Sequence, residues 1–487
     1  MKPSQASVSL GLVYPMPTYP TESLSLNGSA AQERQAKVYG LTVCLRFLQM
    51  PSTQDPSSQT PVTARPAYYD PIVGRVNLDL LTGCQVTKLS LQGKSVTGVE
   101  VRRVKDSDDE SIYIHAKKET ILAAGTLNTP NILQKSGIGP KDLEDAGVQV
   151  LHGLPGVGTN LQEAPGALLR FNLAADVESS LDMLLQVAHG GATLPDNAYE
   201  HQVAAQYLQT RTGPLAKARP QSVAYLSLAA TAPDSKDDIV SRIRTQDGGE
   251  YLPASYGPEA RRGYEMQYTI LQARLNRSDS SMFELPFDGG ELIAAILQKP
   301  LSRGAVLLDP ADPMGLPKVD LNSFSNPIDS LMLGVMVNFT RKIYQTNAMA
   351  PLQPLETIPG PEFHTAEGIM QQLIKTGGAF ASIARPSGTC PMMPLELGGV
   401  VDPYLRIHGL EQVSIVDASI IPMAPASRLG SAVYAIAERA SDILNERNKL
   451  NWRTSVTVVQ SVCPSPSRLT LEQTTMPSTL LGRLTPC

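Results

Sequence analysis

Alternation of apolar and polar positions becomes regular from Val76 onward. The stretch LDLLTGCQVTKLSLQG predicts two strands broken at Gly83 and closed by a Gln92-Gly93-Lys94 turn. VTGVEVRRV sets Val99 and Val101 against Glu100 and Arg102, the period of a half-buried strand. The acidic run 106–110 predicts a solvated hairpin tip, and Ile112 and Ile114 resume the alternation beyond it. TILAAG is short and almost wholly apolar, as a strand buried on both faces is. It leads into Gly125-Thr126 and then Thr129-Pro130, which predicts an N-cap at Thr129 with proline at the first helical position. The helix should reach about Lys135 and stop at Ser136-Gly137. Strand, glycine turn, helix is the order in which open α/β sheets present a ligand site, outside the carboxyl ends of the strands.

Farther along, residues 166–385 mix both periods. GAVLLDPADPMGLPKVDLNSF holds strand-like pieces separated by Pro and Gly, and 331–344 reads as a helix. QVSIVDAS predicts a buried strand ending on Asp417. A loop with Pro422 and Pro425 follows, then a helix with Val433, Ile436, Ala437, Ala440 and Leu444 at helical spacing. Residues 1–65 are rich in Ser, Thr, Pro and Gln, and suit an irregular segment with one helix around 32–48. Residues 450–487 show no period and read as a loose tail.

Composition narrows the function class. A chain of 487 residues suggests two domains, consecutive or interleaved. The net charge is −5 and no basic block occurs, so nucleic acid is not an expected partner. Five cysteines (Cys44, Cys84, Cys390, Cys463 and Cys487) form neither a metal-ligand spacing nor an expected disulfide framework. No apolar run approaches the roughly 18 residues of a membrane span, and the opening residues lack the apolar core of a signal peptide. The chain as given therefore reads as soluble and cytoplasmic. No G-x-S-x-G, H-E-x-x-H or P-loop is present to suggest hydrolase or nucleotide chemistry.

Three stretches are specific together: GTLNTPNILQKSGIG (125–139), GLPGVGTNLQEAP (153–165) and GTCPMMP…GGVVDPYLRIHGLEQVSIVDASIIP (388–422). In motif, order and separation they resemble the glucose–methanol–choline (GMC) oxidoreductases, particularly fungal members. The resemblance implies an α/β fold, α+β overall. A Rossmann-like FAD-binding domain, incomplete at its N-terminus, would be interleaved with a substrate domain built on a large antiparallel sheet with helices. It assigns 62–165 and 387–446 to the FAD-binding domain, lacking its first βαβ unit. It assigns 1–61 and 166–386 to the substrate domain and leaves 447–487 as a loose C-terminal tail. It implies FAD as cofactor, with Val86, Ala124, Gly125, Asp417 and Ala418 at the positions that contact it. It also implies oxidation of a small-molecule alcohol by hydride transfer to the flavin, with oxygen or a quinone as electron acceptor. Some fungal members serve secondary metabolism, which would make the substrate a natural-product alcohol.

Two departures bear on that activity. The sequence contains no G-x-G-x-x-G turn, the element whose backbone amides hold the FAD diphosphate. In addition, the two positions of the family's catalytic histidine pair are occupied by Arg385 and Arg428. Arginine stays protonated and cannot act as a base, although it can stabilise an alkoxide or clamp a carboxylate. An inactive or truncated relic, or a non-catalytic binding protein, is therefore the alternative reading. Two cations converging on one pocket should also draw in an acidic partner or an anion. Without the glycine-rich turn, the 487-residue chain is expected to lose FAD during gel filtration; a stoichiometric flavin absorbance in the protein peak would contradict this.

Overall fold

The computed structural model describes residues 46–49, 55, 62–103, 111–174, 205–212, 222–287 and 291–448. From the N-terminal side the chain forms β1 (Arg46–Gln49), then the antiparallel meander β2 (Cys84–Gln92), β3 (Ser95–Arg103) and β4 (Ile112–His115). Next come β5 (Thr120–Leu122), helix α1 (Gly125–Lys135) and the short parallel pair β6 (Ile138–Gly139) and β7 (His152–Gly153). The middle of the chain supplies β8 (Gly166–Asn172), β9 (Ser222–Leu226), α2 (Lys236–Thr245), α3 (Pro258–Leu275), β10 (Phe283–Phe287) and β11 (Leu292–Leu297). After the hairpin β12 (Ala305–Leu307) and β13 (Lys318–Asp320) come α4 (Pro327–Tyr344), β14 (Leu355–Ile358), α5 (Ala366–Thr376) and β15 (Ala379–Phe380). The described chain closes with β16 (Val413–Ile415) and α6 (Leu429–Asn448). Among the described residues, no helix is long and apolar enough to cross a membrane.

Among the described residues, seven strands make one antiparallel sheet in the order β1-β9-β10-β11-β8-β14, with β15 also pairing with β8. Its side chains divide by the period of two. Ala167, Leu169, Phe171, Ala224, Leu226, Phe283, Leu285, Ile293, Ala295 and Leu297 form one core with the buried faces of α2 to α5. Glu284, between two of these, therefore belongs to the opposite face of the sheet. The helices over this core have local start signals. In α4, Asn326 accepts from the Ile328 amide, Pro327 opens the first turn, and Arg341 and Lys342 stand in the last turn, where the helix dipole favours cations.

A second core gathers β2, β3, β5, α1, β16 and segment 390–420 around Val86, Val99, Leu122, Leu133, Val157, Val401 and Ile415. Here β5 and β16 pair in parallel although every strand of the large sheet except β1 lies between them in the chain, and a parallel pair always needs such a crossover. The two cores meet along segment 154–165. The Gly158 amide donates to Thr389 O at 2.8 Å, and its carbonyl accepts from the Val306 amide at 2.7 Å.

Several elements differ from the pattern-based expectation. The strand expected before Gly83 does not form: residues 74–83 carry no strand, and Val76, Leu80 and Leu81 are exposed, so pairing there would bury no apolar face. In place of a helix at 32–48, Arg46–Gln49 pairs with β9 as a sheet-edge strand; the remainder of that prediction lies outside the described residues. So do the acidic tip 106–110 and the tail 450–487. Helix α1 starts at Gly125, not at Thr129, and Pro130 sits within it. Proline at 130 cannot donate to the carbonyl four residues back. That carbonyl, on Thr126, instead accepts from Thr389 Oγ1 at 2.6 Å. A distant hydroxyl thus makes the interior proline tolerable.

The seam is testable at Gly158. Its φ is +84°, and a Cβ there would lie 2.1 Å from Val306 O. Gly158→Ala is expected to lower stability by about 2–4 kcal/mol, read from a denaturant midpoint.

Candidate active site

The site is built where the second core meets the sheet face that the helices leave uncovered. Asp417 follows β16 and faces the start of α1. Its Oδ2 accepts from the Gly125 amide at 3.0 Å and from Thr129 Oγ1 at 2.6 Å, while Oδ1 accepts from the Ser419 amide at 2.8 Å. Ala124, at the N-cap position, offers no side-chain cap, so a carboxylate far away in sequence caps α1. The turn beside it is open: Gly125 has φ +83°, and a Cβ there would meet nothing within 4 Å. Next to Asp417, the Ala418 carbonyl accepts from the Gly388 amide at 3.1 Å, which joins this corner to the loop after Arg385.

The two loops that carry the arginines run side by side. Cys390 N donates to Ser419 O at 2.8 Å and Met392 N to Ile420 O at 2.8 Å. Segment 160–162 clips them together. Asn160 Nδ2 donates to Gly388 O at 3.0 Å and to Pro422 O at 3.2 Å, and Gln162 Oε1 accepts from the Ala424 amide at 3.0 Å. Lys299 Nζ donates to Ala424 O, and burial, then Arg303 and Arg274, push its ammonium down to about 8. Before Arg385, Ala384 holds a φ of +58°, a strained value for a residue with a Cβ. The buried Glu163 carboxylate steadies that turn by accepting from the Arg385 amide at 3.0 and 3.1 Å and from Ala164 N at 2.9 Å. Burial raises the Glu163 pKa, against the lowering effect of these amides.

Arg385 and Arg428 meet on one carboxylate. Arg385 Nη1 lies 2.6 Å from Glu284 Oε2 and Nη2 3.2 Å from Oε1, and Arg428 Nε lies 3.2 Å from Oε1. Gln298 Nε2 donates to Oε2 at 2.5 Å. The Glu284 side chain is 0% exposed, against 18% for Arg385 and 38% for Arg428. Burial, followed by Glu284, raises the pKa of Tyr225, its cross-strand neighbour. The acidic partner expected between two converging cations is thus Glu284. Pattern reading missed it, although a carboxylate inside the apolar strand FELPF is a signal, since such a group must find a partner when buried. Of the other expected site residues, Val86 is packed into the second core and pairs with Val101.

No histidine joins this cluster among the described residues. His152 and His408 contact backbone carbonyls, at His408 O and Met393 O, His115 lies by Tyr113, and the His364 carbonyl accepts from Asn338. His189 and His201 lie outside the described residues. Among the described residues no group of three or more His, Cys, Asp or Glu could hold a metal.

Comparison with known proteins identifies the class. Family models described as GMC oxidoreductase match residues 57–165 and 300–437. The chain belongs to the GMC oxidoreductase family. It is 31% identical over 387 residues to the GMC oxidoreductase family protein Mala s 12 of Malassezia sympodialis, covering 78% of this chain and 58% of that protein. It is 29% identical to the dehydrogenase xptC of Emericella nidulans, covering 81% of this chain and 62% of that one. The chain therefore spans about three fifths of the length of these curated relatives. An FAD-dependent oxidoreductase from Chaetomium thermophilum superposes with a TM-score of 0.78 at 27% identity, covering 87% of this chain and 73% of that one. A fungal aryl-alcohol oxidase gives 0.72 at 28%, covering 83% and 67%. FAD is the cofactor these findings indicate.

Glu284→Gln would leave two arginines facing each other without an anion. Breaking a buried pair costs about 3–5 kcal/mol, so the variant should unfold at a clearly lower denaturant concentration. A melting curve matching the parent would show that Glu284 is not needed to hold the pair together.

Proposed function

We propose that this chain oxidises the CH–OH group of a small-molecule alcohol to an aldehyde or ketone with FAD. The observation that carries the reading is the meeting of Arg385 and Arg428 on buried Glu284, at the two loops joined by segment 160–162. The described residues suit one side of an FAD site: the open turn at Ala124 and Gly125, the Asp417–Ala418 corner and the arginine pair. Among them there is no glycine-rich turn for the diphosphate. FAD, when bound, supplies the hydride acceptor.

The residues supply charge and position. Glu284 has both oxygens occupied and no exposed surface, so it orients the arginines and does not reach a substrate. Arg428, the more exposed of the two, brings a fixed positive charge to the site, which stabilises the alkoxide that forms as the alcohol proton leaves. Arginine cannot take that proton; solvent water accepts it. Oxygen or a quinone would reoxidise the flavin, and analogy with fungal members of the family makes a natural-product alcohol the proposed substrate.

The test is anaerobic mixing of the chain, in excess FAD, with a panel of alcohols while flavin absorbance is followed. Bleaching by an alcohol is expected. Arg428→Ala should slow it by about 10²–10³-fold, the usual cost of losing an oxyanion donor. Failure of every alcohol to bleach the flavin would favour a non-catalytic role.

A further inference from the structure

The two arginines are not equivalent. Arg385 commits both Nη atoms to Glu284 and is 18% exposed. Arg428 commits only Nε, and its Nη1 and Nη2 have no hydrogen-bond partner among the described residues. Its side chain is 38% exposed, about twice as much as that of Arg385. Glu284 therefore grips the inner edge of the Arg428 guanidinium and leaves the terminal fork open. A planar fork with two parallel N–H groups matches a carboxylate bidentately. The neighbouring charges do not fill it. Glu284 is already shared between two cations, Glu163 is spent on backbone amides, and Lys299 donates to Ala424 O.

We propose that the alcohol taken by this site carries a carboxylate next to its carbinol carbon, a 2-hydroxy acid, held end-on by Arg428 Nη1 and Nη2. This rests on the proposed oxidation for the identity of the site, but it is a statement about binding and can be tested without turnover.

Mandelate and its neutral analogue mandelamide are the probes, titrated calorimetrically into the chain in excess FAD. Mandelate should bind at least ~10-fold more tightly, as expected for a charge-assisted bidentate pair. Raising salt from about 20 to about 300 mM should weaken mandelate several-fold and leave mandelamide unchanged. Arg428→Gln should abolish the preference, and Arg428→Lys should restore part of it. Equal binding of the two probes overturns the proposal, as does a preference that survives Arg428→Gln. If that variant does not fold, the salt series on the parent decides. Mandelate preference with no alcohol bleaching the flavin would uphold the carboxylate site and reject the oxidation. Bleaching by benzyl alcohol with no mandelate preference would do the reverse.

Discussion

A carboxylate with no access to water must be paired, and Glu284 is the point where this constraint organises the molecule. It stands on a central strand of the large antiparallel sheet, on the face away from the helices. Its partners come from other parts of the chain: Arg385 from the loop after β15, Arg428 from the loop before α6, and Gln298 from the end of β11. Leaving the charge unpaired would cost several kcal/mol. Charge pairing at Glu284 therefore ties the sheet to the two arginine loops in addition to apolar contact.

The same logic recurs at Asp417, with a different outcome. There the partners are an amide and a hydroxyl at the start of α1, so the carboxylate completes a helix end. Together with Thr389, which satisfies the carbonyl orphaned by Pro130, it fixes the strand–helix turn at Gly125. Segment 160–162 then ties this corner to the arginine loops through side-chain amides. The candidate site is an arrangement of loops whose polar groups are satisfied by one another, and such networks specify a geometry because partial satisfaction is costly.

Much of the architecture was legible along the chain. The meander β2 to β4, the buried strands β5 and β16, and helices α4 and α6 follow from periodicity, since each period is local. The family motifs pointed to Asp417, Ala124 and Gly125, and to the two arginines. Less legible was anything that depends on a distant partner: the true start of α1, the absence of a strand before Gly83, and the strand at Arg46–Gln49.

Sequence order thus determined which segments could be strands or helices, and put two cations at the positions where the family resemblance expects the catalytic histidine pair. It could not determine what neutralises them. Glu284 and Arg428 are 144 positions apart, and Glu284 and Arg385 are 101 apart. Their pairing required the sheet to fold, the loops to converge and solvent to be excluded, because only in a dehydrated interior does an unpaired carboxylate become too costly to leave alone.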